Sequence, residues 1–138
     1  MATTIELPGK VPPQSLEAER AVLGAILLEP ALLPRAIELL VPEEFYKEAH
    51  RKIFAAMIRL FERGESPDAI LVAETLRRDG MFEEIGGHTL LAMLQEEGTV
   101  ATQFSAYTGI VREKALLRER SEERRVGKEW RSRWSPYH

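Results

Sequence analysis

The chain has 138 residues, 44% hydrophobic and 30% charged, enough apolar material for one domain with a modest core and too much for a disordered chain. Cysteine is absent, which excludes disulfides and thiolate zinc sites, and neither a signal peptide nor an apolar run near the ~20 residues that span a bilayer is present, so the cytoplasm is the expected compartment. Residues 1–118 carry 13 Lys and Arg against 18 Asp and Glu, whereas residues 119–138 carry 6 against 4; the acidic body is a poor match for a phosphate backbone and suits a protein partner better.

Residues 1–14 read as a flexible arm in which Pro12 and Pro13 hold the chain extended. Ser15 then caps a helix in which Leu16, Leu23, Ile26 and Leu27 recur at helical spacing. Glu17 and Glu19 place negative charge near its positive end, and Pro30 closes it. A short helix follows over residues 31–40, with Pro34 in its first turn and Pro42 ending the segment. Residues 47–63 carry an apolar stripe of Ala49, Ile53, Met57, Leu60 and Phe61 and stop at Gly64. His50 falls on this stripe between Met57 and Phe61, which makes it a core histidine rather than a ligand. A helix capped by Ser66 with Pro67 at its first position ends at Arg77-Arg78 before Gly80, and another runs over residues 88–95 behind Gly86-Gly87. A last one, marked by Phe104, Tyr107, Val111 and Ala115, ends near Arg118. No segment alternates as a strand, and the elements predict an all-α fold, a compact orthogonal bundle of about six or seven short helices.

The composition changes at residue 120, where arginines and both tryptophans appear without apolar period. Residues 120–138 read as a non-native or disordered tail, because Arg120 to Glu129 resembles adapter or vector sequence translated past a truncated reading frame; an aromatic-plus-arginine nucleic-acid arm is the other reading.

A phosphate-binding loop needs Gly-x-x-x-x-Gly-Lys followed by Ser or Thr, and the chain has none. Ser15, Ser66 and Ser105 stand at caps or a helix start without a nucleophile elbow, and no second histidine follows His50 or His88 at metal-binding spacing. No catalytic, cofactor or metal residue is therefore expected. A helix-turn-helix can be drawn from residues 71–78 through Gly80 to residues 88–95, although the second helix has no Lys or Arg for base edges or phosphates. It supports the competing reading, a self-standing helical DNA-binding or regulatory protein.

Four blocks stand in order along the chain: Ser-Leu-Glu-Ala-Glu-Arg-Ala-Val-Leu-Gly from Ser15, Phe45-Tyr46 followed by Ala49-His50-Arg51, Ile85-Gly86-Gly87, and Ile110-Val111-Arg112-Glu113-Lys114-Ala115-Leu116-Leu117-Arg118. Together they resemble the N-terminal domain of DnaB-type replicative DNA helicases over residues 15–119. Thr89-Leu90 stands where that family has Tyr-Leu, and residues 98–102 lack its Pro and Asn. The resemblance implies a collar and interaction domain acting in DNA replication. Its implied partners are sister helicase subunits, primase and a helicase loader, with little or no direct nucleic-acid binding. ATP and magnesium would act only in a motor domain absent from this chain. Residues 101–119 would start a hairpin arm, and Phe104, Tyr107, Ile110, Val111, Leu116 and Leu117 are the candidate subunit or partner contacts, because the last helix is apolar over more than one stripe. With unrelated sequence from Arg120 onward in place of the returning arm, a monomer or weak dimer is expected.

Overall fold

A computed structural model describes the backbone of residues 11–134 and the side chains of residues 11–123. The described residues form α1 Leu16–Leu28, α2 Leu33–Leu39, α3 Glu48–Glu62, α4 Ala69–Arg78, α5 Gly87–Glu97 and α6 Phe104–Trp134, with 3-10 turns at Pro30–Leu32, Pro42–Glu44 and Ala101–Gln103 and no strand among them.

Helix α1 is the centre of the bundle. The Ser15 hydroxyl accepts the Ala18 N–H at 3.2 Å, as its position before the apolar run predicts. From Ala18 to Leu27 every residue except Arg20 is buried, so the apolar surface is not one stripe but nearly the whole circumference, as befits a helix covered on all sides. Helices α5 and α6 make its most extensive contacts. The approach of α5 depends on two glycines: a Cβ on Gly24 would lie 1.8 Å from the Leu94 carbonyl oxygen, and one on Gly98 would lie 2.6 Å from the Gly24 carbonyl carbon. The Thr99 N–H then donates to the Ala21 carbonyl at 3.1 Å.

Helix α3 buries Ala49, His50, Ile53, Phe54, Ala56, Met57 and Leu60. The expected stripe is corrected at Phe61, which is 45% exposed because it stands at the edge of this arc in the last turn. Gly64, at φ +76°, ends the helix by presenting its N–H to the Phe61 carbonyl. The cap of α4 is Asp68 rather than Ser66: its carboxylate accepts the Leu71 N–H at 2.9 Å, and Pro67 precedes the cap instead of opening the helix.

Two expectations about the chain ends change. Pro13 is tied down, since its carbonyl accepts from Arg118 at 2.7 Å; residues 1–10 lie outside the described residues. Helix α6 does not end near Arg118 but runs to Trp134, crossing the expected boundary at residue 119. Residues 119–134 contain no proline, one glycine and mostly Glu, Arg and Lys, whose straight side chains favour helix even without apolar period. The side chains of Trp130 and Trp134, and the whole of residues 135–138, lie outside the described residues.

Candidate interaction surface

The six residues singled out on α6 separate into three environments. Phe104 and Val111 are fully buried and complete the core against α1, which removes them from any partner surface. Tyr107 and Ile110 are partly buried against that core. Leu116 and Leu117 remain 44% and 36% exposed. The first half of α6 is thus a core helix, and its apolar surface turns outward only where the helix leaves the body.

That departure is held by two arginines. Arg112 donates to the Leu39 carbonyl at 3.1 Å, satisfying the end of α2, and stands 3.9 Å from the Glu44 carboxylate. Arg118, one and a half turns on, donates to the Pro13 carbonyl at 2.7 Å and the Glu44 carbonyl at 2.8 Å, with its guanidinium 5.3 Å from the Tyr46 ring centroid. Burial lowers the proton affinity of Arg118 below the ordinary arginine value, and the Glu19 carboxylate opposes that change. The planar fork suits this place because it reaches two carbonyls on different segments and lies against an aromatic ring.

Behind Tyr46 lies a buried polar cluster that the sequence pattern places on an apolar face. Glu19, 1% exposed, accepts the Tyr46 N–H at 2.6 Å and the Lys47 N–H at 3.4 Å, and the Nδ1–H of His50 donates to it at 2.7 Å. A carboxylate of α1 therefore satisfies free N–H groups at the entry to α3, a task quite different from interaction with its own helix end. The pairing explains why His50 occupies a core position. Its Nε2 has no hydrogen-bond partner among the described residues. The signal for this cluster is present in the sequence as Glu19 at helical spacing from Val22, Leu23 and Ile26, a charge on the apolar side. His88 is elsewhere, exposed, with Nε2 2.8 Å from an Arg77 nitrogen and its ring edge-on to Phe82 at 4.9 Å.

A cleft of ≈ 440 Å³ separates α6 from the Pro42–Glu44 turn, lined by Val41, Ala115 and Arg118 with Glu43, Glu44, Glu119 and Glu122; at about 100° per residue Leu116 and Leu117 face away from it, on the other side of the helix. The root of the projecting helix thus carries an acidic cleft on one face and exposed leucines on another. Among the described residues no group of three or more His, Asp or Glu is arranged to hold a metal ion, and no helix is long and apolar enough to cross a membrane.

An all-α head built around a buried central helix, with a long helix leaving it, is the architecture of a helicase N-terminal domain. The family described as DnaB-like helicase N terminal domain matches residues 11–113, and this chain belongs to that family. The replicative DNA helicase DnaB of Geobacillus stearothermophilus is 48% identical over 109 residues, covering 79% of this chain and 24% of the helicase. That of Rhodothermus marinus is 44% identical over 110 residues, covering 80% of this chain and 12% of the helicase. The chain therefore spans about a quarter or less of the length of these relatives. The crystal structure of the N-terminal domain of DnaB helicase from Mycobacterium tuberculosis superposes with a TM-score of 0.86 at 36% identity, covering 91% of this chain and 89% of that one. The corresponding domain from Helicobacter pylori, described together with its interactions with primase, shares the fold at a TM-score of 0.72 and 18% identity, covering 83% of this chain and 89% of that one.

Proposed function

We propose that the chain serves as the N-terminal contact domain of a replicative DNA helicase, acting in subunit assembly and primase engagement, with a helicase loader as a further partner. The observation that carries this reading is the change in α6 from core helix to projecting helix, which exposes Leu116 and Leu117. The primase interactions described for the Helicobacter pylori domain support the second partner. In this reading the domain performs no catalysis and holds no cofactor, ATP and magnesium acting in the motor part of the helicase. It works in the cytoplasm and binds nucleic acid little or not at all, in keeping with the excess of carboxylates over residues 1–118.

The test compares the chain with a variant carrying Leu116→Asp and Leu117→Asp. Sedimentation should show at most a weak dimer, which the variant weakens at least tenfold, and calorimetry should show saturable binding of primase from Geobacillus stearothermophilus. Unchanged association in the variant together with no heat from primase would overturn the reading. Tight duplex binding with a steep salt slope would favour the DNA-binding alternative instead.

A further inference from the structure

Helix α6 parts from the head with little packing to guide it. Val111 is its last fully buried side chain among the described residues, and over residues 112–123 every one is exposed or only partly buried. On the side of the Pro42–Glu44 turn a cleft of ≈ 440 Å³ keeps the two elements apart, so close contact does not fix the angle there. The hydrogen bonds of Arg112 to Leu39 and of Arg118 to Pro13 and Glu44 cross to the head instead. The two arginines stand about 9 Å apart along the helix axis, which makes the first a pivot and the second a pin. The helix reaches about 33 Å from Arg112 to Trp134, so a displacement at Arg118 grows roughly threefold by the far end.

The groups that receive Arg118 differ in how firmly they are held. Tyr46 is anchored from inside, its N–H donating to the buried Glu19 carboxylate at 2.6 Å. Glu44 belongs to a closed turn: its N–H donates to the Val41 carbonyl at 3.0 Å, and its carboxylate accepts the Val41 N–H at 2.9 Å. Pro13 is different. Neither Pro12 nor Pro13 has an N–H, so the backbone here can be tied to the head only through its carbonyls, and Arg118 supplies the donor for one of them. Val11 and Pro12 are exposed and Pro13 only partly buried, so little apolar burial holds the segment down. The two rings favour an extended course before any contact forms, which lowers the entropy lost when the carbonyl meets Arg118.

We infer that residues 11–14 form a strap that sets the direction of α6 through Arg118, a positioning residue. With Pro13 in place the guanidinium is held by the strap, the turn and the Tyr46 ring together. With the strap released only the neighbouring Glu44 and Tyr46 remain, and α6 swings about Arg112. A chain that draws the N-terminal segment away therefore redirects α6 without touching it. The inference goes beyond the contact reading, since it concerns where α6 points and not what the helix meets.

The test uses the full chain, whose lack of cysteine allows one spin label at Glu62→Cys on α3 and one at Glu123→Cys on α6, both exposed positions. Double electron–electron resonance on the dilute monomer should give one narrow distance distribution. Pro12→Gly with Pro13→Gly keeps the carbonyl but removes the stiffness; it should broaden the distribution about twofold, and Arg118→Ala should do so by as much. The changes combined should broaden it no further, because both release the same pin. Each variant is also melted, and a broadened distribution in a chain that still unfolds cooperatively separates a change of direction from a loss of fold. Leu116→Asp with Leu117→Asp should leave the distribution narrow, so that failure of the contact reading and failure of this one are told apart. An unchanged distribution in either the proline or the arginine variant, or additive broadening in the combination, would overturn the inference.

Discussion

His50 and Glu19, 31 residues apart in sequence, meet with Nδ1 and Oε1 at 2.7 Å in the interior of the head, both essentially shielded from water. Removing Glu19 strands the His50 ring and the Tyr46 N–H, bonded to it at 2.6 Å, while removing His50 opens a cavity and leaves Glu19 with only its backbone donors. Glu19→Ala and His50→Ala are each expected to lose about 2–4 kcal/mol of stability, the range for stranding a buried polar group or opening a core cavity. The double variant should lose less than the sum of the two, since the second change removes a group already stranded. Urea denaturation of the four proteins checks this; strict additivity would show that the pair is not coupled.

Glycine substitutions should act in opposite directions at two helical positions. At Gly24 an added Cβ would lie 1.8 Å from the Leu94 carbonyl oxygen, and backbone cannot yield as a flexible side chain does. Gly24→Ala is expected to cost more than about 3 kcal/mol or prevent folding. At Gly109, exposed on α6, nothing lies within 4 Å of the added methyl, so Gly109→Ala should stabilise by about 0.5–1 kcal/mol through helix propensity. Thermal melts of the two variants give the answer, and a destabilising Gly109→Ala would contradict the geometry.

Arg118 should resist conservative replacement. Its guanidinium serves the Pro13 carbonyl, the Glu44 carbonyl and the face of Tyr46 at once, which an ammonium on a flexible stem cannot do. Arg118→Lys is expected to recover little of the roughly 1–2 kcal/mol lost in Arg118→Ala, a range set by charge-assisted hydrogen bonds at a partly solvated site. Hydrogen exchange at the Tyr46 amide and the melting temperature report the loss, and full rescue by Lys would reduce the role of Arg118 to charge alone.

The Asp79 and Arg59 side chains, joined by a hydrogen bond and ion pair, give a pH dependence of known sign. Arg59 holds the Asp79 carboxyl below its ordinary value, so the pair's contribution is present above the usual aspartate range near ~4 and is lost as pH falls through the lowered folded value. The stability difference between the chain and Asp79→Asn should therefore be constant near neutrality and shrink in acid. Melting curves from pH 7 to pH 2 test this, and a difference that grows in acid would reverse the sign. The exposed position makes the effect small.

Local chemistry was legible at most places where a residue acts on its own helix, the cap of α4, Asp68 rather than Ser66, excepted. Ser15 caps α1, Pro30 and Pro42 close segments, and Gly64 and Gly80 follow helix ends at φ +76° and +72°, because caps and breakers work through the backbone within a few residues. The order of four family blocks carried the identity of the domain, and helical spacing carried the all-α class. Packing was a different matter. Leu116 and Val111 read alike as apolar residues of one helix, yet one is exposed and the other fills the core, because burial depends on where α6 passes the edge of the head. Gly24 and Gly98 are ordinary in sequence and become irreplaceable only when α1 and α5 cross at backbone contact. Glu19 looked like the acidic first turn of its own helix and instead serves His50 and the entry to α3, since a buried carboxylate must find donors from whatever chain segment folds against it.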